Sequence, residues 1–132
     1  MRTFPVKDYT PIEDGKHKGK ITRIEYRSEP YEYVDIFMTV DNIEGMEIKY
    51  GCPQNVTTSS KFGKLLINFG MELIPGSEIN EEQIQKALIN KEVTYMTITE
   101  SVLMKDKSRK EFARVVDDSV KPLKIENEEK VH

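Results

Sequence analysis

Apolar and polar positions alternate in several short runs, and one longer run breaks that rhythm. Phe62, Leu65, Leu66 and Phe69 recur at i, i+3, i+4 and i+7, the spacing that lines one face of an α-helix. Ser59 or Ser60 stands where an N-cap oxygen accepts an orphan backbone N–H, and Gly70 stands where a left-handed C-cap belongs. Strand-like segments flank this helix. The first runs from about Lys18 to Arg27. Ile21 and Ile24 are three apart there, so a bulge between them is needed to restore alternation, and Gly19 suits a sharply bent backbone. Ile24 and Tyr26 then face inward, and Arg23, Glu25 and Arg27 outward. After a Ser28-Glu29-Pro30 turn, the second segment, Tyr31 to Val40, alternates cleanly. Val34, Ile36, Met38 and Val40 read as core, and Tyr33, Asp35, Phe37 and Thr39 share the wet face. A loop at Asp41–Gly45 leads to the third segment, Met46 to Cys52, with Ile48 and Tyr50 opposite Glu47, Lys49 and Gly51. Tyr26 and Tyr50 are assigned to the core.

Beyond the helix, Asn80 and Gln83 form a capping box for a second short helix with an Ile84, Ala87, Leu88 stripe. Glu92–Val102 is rich in β-formers. Met104–Lys110 is a cationic loop. Glu111–Val116 is a fifth strand, with Ala113 and Val115 opposite Phe112, Arg114 and Val116. The order predicts a mainly β fold: a five-stranded Greek-key OB-fold barrel with a helix between strands 3 and 4 and a second short helix. Residues 1–14 read as an extended lead-in, 15–123 as the OB-fold domain and 124–132 as a polar C-terminal tail.

Composition narrows the class. A chain of 132 residues with 37% apolar and 33% charged residues predicts one domain with a small core and a heavily solvated surface. No apolar run approaches the roughly 20 residues of a membrane span. The N-terminus lacks the apolar stretch of a signal peptide, and a lone Cys52 leaves no internal disulfide. A cytoplasmic protein is expected. The net charge of −3 argues mildly against a polyanionic partner, but its distribution argues for one. Lys16, Lys18, Lys20, Arg23 and Arg27 gather between positions 16 and 27 against Glu25 alone, and Lys105, Lys107, Arg109 and Lys110 in the last loop against Asp106 alone. Acid collects at Glu72, Glu78, Glu81, Glu82 and Glu92.

Catalytic patterns are absent. His17 and His132 are too few for a histidine metal cluster, and Cys52 has no C-x-x-C partner. Gly63-Lys64 is followed by Leu65, where a phosphate-binding loop needs Ser or Thr. Glu25, Arg27 and Asp35 could hold a metal against a phosphodiester, but a plain ion pair involving Glu25 and Arg27 is the simpler reading. No enzyme, metal or cofactor is expected. What remains is a binding surface of cations and rings, the combination that single-strand binders use. Its cations are Lys18, Lys20, Arg23, Arg27, Lys49, Lys105, Lys107, Arg109 and Lys110; its rings are Tyr31, Tyr33 and Phe37, with Phe112 beside them. In an OB barrel, strands two and three with the first and fourth loops line the cleft, where these residues would meet. Tyr33 and Phe37 are either a platform or are covered by another part of the chain, such as the lead-in.

Asp14–Ile21, the Tyr33-Val34-Asp35 opening, Ser60–Leu66 with Phe69-Gly70, Pro75-Gly76, and Phe112–Val115 followed by Ser119–Pro122 resemble the small OB-fold proteins encoded in phage and mobile-element replication regions. The resemblance implies a non-catalytic single-stranded DNA-binding protein with little sequence preference, serving replication or recombination. RNA is the alternative strand, and a homo-oligomer is an open assembly. The tail has acid but not the apolar ending of bacterial single-strand binders. The competing expectation is a protein–protein interaction module, or an OB-type oligomer with no nucleic-acid role.

Overall fold

The computed structural model describes residues 1–3 and 12–123. Most of the expected lead-in, 4–11, and the whole expected tail, 124–132, lie outside the described residues. The elements in order are β1 (Gly15–Arg27), β2 (Tyr33–Val40), β3 (Ile43–Pro53), α1 (Lys61–Asn68), α2 (Glu81–Leu88), β4 (Glu92–Leu103), β5 (Arg109–Val115) and β6 (Lys121–Pro122). The fold is mainly β: a curled, barrel-like antiparallel sheet with two helices. The strands lie in the order β3-β2-β1-β4-β5, with β6 also on β4.

β1 is the spine. Its first half, Gly15–Lys20, pairs with Thr97–Glu92 of β4; its second half, Ile21–Arg27, pairs with Met38–Tyr33 of β2. The register shifts between Ile21 and Arg23, which is the bulge that the Ile21/Ile24 spacing demands. Just before it, the end of β2 crosses close to β1. A Cβ on Gly19 would stand 2.1 Å from the Thr39 carbonyl oxygen, and the Lys20 N–H donates to the Thr39 hydroxyl at 2.9 Å. Only glycine allows that approach.

The core fills the curl. Ile21, Val34, Ile36, Met38, Ile48, Tyr50 and Cys52 come from β1–β3, and Val93, Tyr95 and Val115 from β4 and β5. Phe62, Leu65 and Leu66 of α1 and Ile84 and Leu88 of α2 pack against them. Ser60 caps α1 by accepting from the Gly63 N–H at 3.0 Å. Gly70 closes the helix at φ +91°, with the Met71 N–H donating to Leu66 at 3.0 Å. Both halves of the Asn80/Gln83 capping box form at α2. The Asp118 N–H donates to the Tyr50 hydroxyl at 3.0 Å, and Lys61 pairs with Asp117 at 3.0 Å. These bonds draw β3 and the start of α1 toward the turn after β5.

Several expectations need correction. Tyr26 is 37% exposed, not core. It faces the same side as Val34, but one position from the end of β1 and near Glu81 of α2, so its ring emerges into solvent. β1 begins at Gly15 rather than Lys18, and β2 at Tyr33 rather than Tyr31. β3 begins at Ile43, because Asp41-Asn42 suffices as the connection once Asn42 adopts φ +65°. The cationic loop shrinks to the turn between Leu103 and Arg109, closed by the Met104 N–H on Ser108 at 2.7 Å. Lys121-Pro122 forms a short strand where an end was expected. Among the described residues no helix is long and apolar enough to cross a membrane.

Candidate nucleic-acid interface

Cross-strand register builds the outer face of β1, β2 and β3 in three rungs. Arg23 lies opposite Phe37 and Phe37 opposite Lys49; Glu25 opposite Asp35 and Asp35 opposite Gly51; Arg27 opposite Tyr33 and Tyr33 opposite Pro53. Directly opposed residues project from the same face. Each ring therefore meets an arginine. The Arg23 guanidinium carbon stands 3.6 Å from the Phe37 ring centre, and that of Arg27 stands 4.6 Å from the Tyr33 centre. Both distances are within cation–π range.

Carboxylates hold the arginines in place. Arg27 Nε donates to Asp35 Oδ2 at 2.8 Å, and Asp35 is only 4% exposed beneath it. Asp35 was expected on the wet face; it does point outward, but Arg27 covers it, and the missing side chain of Gly51 leaves it room. Arg23 donates to Glu25 and, through Nη2 at 3.2 Å, to Glu47. The Thr22 hydroxyl and Arg23 together hold the Glu47 carboxyl below its usual range, so it stays ionised. Gln54 donates to the carbonyls of Tyr33 at 2.9 Å and Arg27 at 3.2 Å, tying the end of β3 to the same corner.

Two consequences follow. Tyr33 and Phe37 are half-buried, and part of their cover is β1's own arginines. The expected pairing of Glu25 with Arg27 is replaced by Glu25 with Arg23 and Asp35 with Arg27. Among the described residues no group of three or more His, Cys, Asp or Glu side chains is placed to hold a metal.

The other expected binding residues spread outward from this face. Lys49 is exposed beside Phe37. Lys18 and Lys20 are exposed on the half of β1 that pairs with β4. Tyr31 is 71% exposed in the loop after β1. Lys105 and Lys107 sit in the β4–β5 turn, with Arg109 and Lys110 opposite Leu103 and Val102. Because Gly15 pairs with Thr97, this hairpin runs on past the start of β1, whereas Tyr31 lies past its end. The register thus gathers Arg23, Arg27, Tyr33, Phe37 and Lys49. Tyr31 and the hairpin cations flank them from opposite ends of β1. Phe112 lies on the hairpin opposite Glu100.

No protein-family model matches this chain, and no curated protein matches it. Elsewhere, burial pushes the Cys52 thiol up to about 12, so it is no thiolate at neutral pH. A cavity of about 480 Å³ between residues 56–58 and 73–79 has one ionisable lining residue, Glu78. Sequence pattern alone assigns Glu47 no role at the site. A signal is nonetheless present: Glu47 and Lys49 alternate on the outward side of strand three, a hairpin away from Phe37.

Proposed function

We propose that the chain is a non-catalytic module of the five-stranded OB-barrel type that binds single-stranded DNA, or RNA, with little sequence preference, in replication or recombination. The strand order β3-β2-β1-β4-β5, with a helix between β3 and β4, supports that barrel type. The observation that carries the function is the pair of guanidinium-over-ring stacks whose rings stand on β2, one of the two strands that such barrels present to oligonucleotides. Rings and guanidinium planes both stack on bases, and every base has a π-face, so such stacking tolerates sequence. Arg27 covers the buried Asp35, so that carboxylate is not free to read base edges. Binding is then an exchange: a base takes the ring or guanidinium surface while phosphate competes with Glu25 and Glu47 for Arg23. Fluorescence anisotropy with labelled oligonucleotides at two salt concentrations tests this. Affinity should fall with salt, with a slope of about 0.7 per phosphate neutralised on a single strand. No binding at low salt, or binding indifferent to salt, refutes it.

One observation favours a second reading. Val102, Leu103, Met104 and Phe112 are exposed on the β4–β5 hairpin, which suits a protein-interaction module or a homo-oligomer. Sedimentation with and without oligonucleotide separates the two: a tight oligomer with no affinity for nucleic acid favours the second.

A further inference from the structure

The outer side of β1 continues past the bulge onto a second basic surface. Lys16, Lys18 and Lys20 alternate with Gly15, His17 and Gly19 and are all exposed, so they share one side of the strand. Lys18 lies opposite Thr94 on β4, and Thr94 lies opposite Lys121 on β6. Thr94 therefore sits in a row between two lysines, with Lys16 and Lys20 one alternation away on either side. Lys16, Thr94 and Lys121 line an open cleft of about 700 Å³, together with Asn68 at the end of α1. Among the described residues of β4, two carboxylates share this side: Glu92 opposite Lys20, and Glu100 farther along, which is paired with Arg114. Among the described residues, none of the four lysines makes an ion pair. The contrast with the ring-bearing face is sharp, because carboxylates there already hold both arginines.

We propose that this lysine-lined cleft around Thr94 is a second binding site, which takes the sugar–phosphate backbone of a single strand and does not touch the bases. The proposal rests on the single-strand function proposed above and extends it. A strand leaving the β1–β2–β3 face at the bulge follows the outer side of β1 onto β4 and β6. Same-side positions repeat about every 6.5–7 Å along a strand, so the lysines form a regular row of point charges on flexible stems. Among the described residues no aromatic ring lines the cleft. His17 and Tyr95, on the adjoining strand positions, lie against each other at 5.7 Å on half-buried and buried positions. Ile67, Pro122 and Leu123 complete the lining, so the cleft contributes charge and no ring for a base, and it lengthens the strand that the protein occupies.

The test is the double variant Lys16→Gln/Lys121→Gln, which leaves the ring-bearing face intact. Anisotropy is read with oligothymidylates of about 6 nucleotides, near the short end of the usual site size of one barrel, and of about 20, beyond its long end. The variant should weaken binding of the longer strand several-fold. It should lower the salt slope for that strand by about 1.4, or 0.7 for each of two phosphates no longer neutralised. Binding of the shorter strand should not change. An unchanged slope for the longer strand overturns the proposal. Inorganic polyphosphate, followed by NMR on the unmodified protein, separates this failure from failure of the stacking reading. The amides of Lys16, Thr94 and Lys121 should shift. If they stay still, the cleft is no anion site. If they shift while no oligonucleotide binds, the cleft stands as a polyanion site and the single-strand reading falls.

Discussion

Replacing Glu47 with Gln should tighten nucleic-acid binding. Arg23 lies over Phe37 and donates to Glu47 from both Nε and Nη2, at 3.3 and 3.2 Å. Phosphate must compete with that carboxylate for the guanidinium. The pair is largely solvated, with the two side chains 46% and 32% exposed, so its worth is that of a screened surface pair, about 0.2–1 kcal/mol. At about 1.4 kcal/mol per factor of ten, removing the competitor strengthens binding by up to about fivefold. Gln keeps the shape of Glu and can still accept from the Thr22 hydroxyl, which limits damage to the fold. Anisotropy at low salt measures the gain. Removing any acid raises affinity for a polyanion, so Glu82→Gln, in the first turn of α2, supplies the background. If Glu47→Gln binds no tighter than that control, the exchange mechanism is wrong. If it binds more weakly with an unchanged melting temperature, Glu47 positions Arg23 for the ligand instead of competing with it.

Phe37→Ala and Tyr33→Ala should each cost about 1–3 kcal/mol of binding with little change in salt slope; normal binding with a lowered melting temperature would assign the rings to packing. Neutralising Lys107 and Arg109 together should weaken binding and lower the salt slope, by about 0.7 for each phosphate those side chains meet. Gly63→Ala should destabilise the fold by at least about 1–3 kcal/mol, because its Cβ would stand 1.6 Å from the Thr57 carbonyl oxygen; an unshifted urea midpoint would contradict that close approach. His17 bridges Asp41 at 2.7 Å and the Glu13 carbonyl at 2.6 Å, and although burial opposes the charged ring, these two acceptors raise its pKa above the ordinary value. Its contribution to stability should be complete below the ordinary imidazole pKa and lost as pH rises through the raised one. Urea unfolding across that range should show the loss, and His17→Gln should abolish it.

How far the sequence discloses this molecule depends on whether the cause is local. The Ile21/Ile24 spacing forces a bulge whatever surrounds it, and Ser60, Gly70 and the Asn80/Gln83 pair act within a few residues of themselves. The second strand's alternation reads its core face correctly, since Val34, Ile36, Met38 and Val40 are all buried. Tyr26 has the right parity for the core yet emerges, because burial depends on what lies over the strand's end. Asp35 has the parity for solvent yet is covered, because Arg27 comes from another strand. The site shows the same limit. Periodicity puts Arg23, Arg27, Tyr33 and Phe37 on one side of their strands. Only the register reveals that each arginine sits over a ring, and that Lys18 and Lys121 flank one threonine.

The division of β1 between two partners also sets the order in which the chain can be completed during synthesis. Its second half meets β2 after one short turn, whereas its first half waits for Glu92–Thr97 to be made. Throughout that interval Gly15–Lys20 lacks its β4 partner and touches only the end of β2 and the turn after it, and an unpaired strand edge is a template for aggregation. The stretch reads Gly-Lys-His-Lys-Gly-Lys, with a positive charge at every second position and no large aliphatic side chain. Charges so placed act as gatekeepers that keep nascent strands from joining one another. Lys16, Lys18 and Lys20 therefore guard the growing chain, whatever they meet once it is folded.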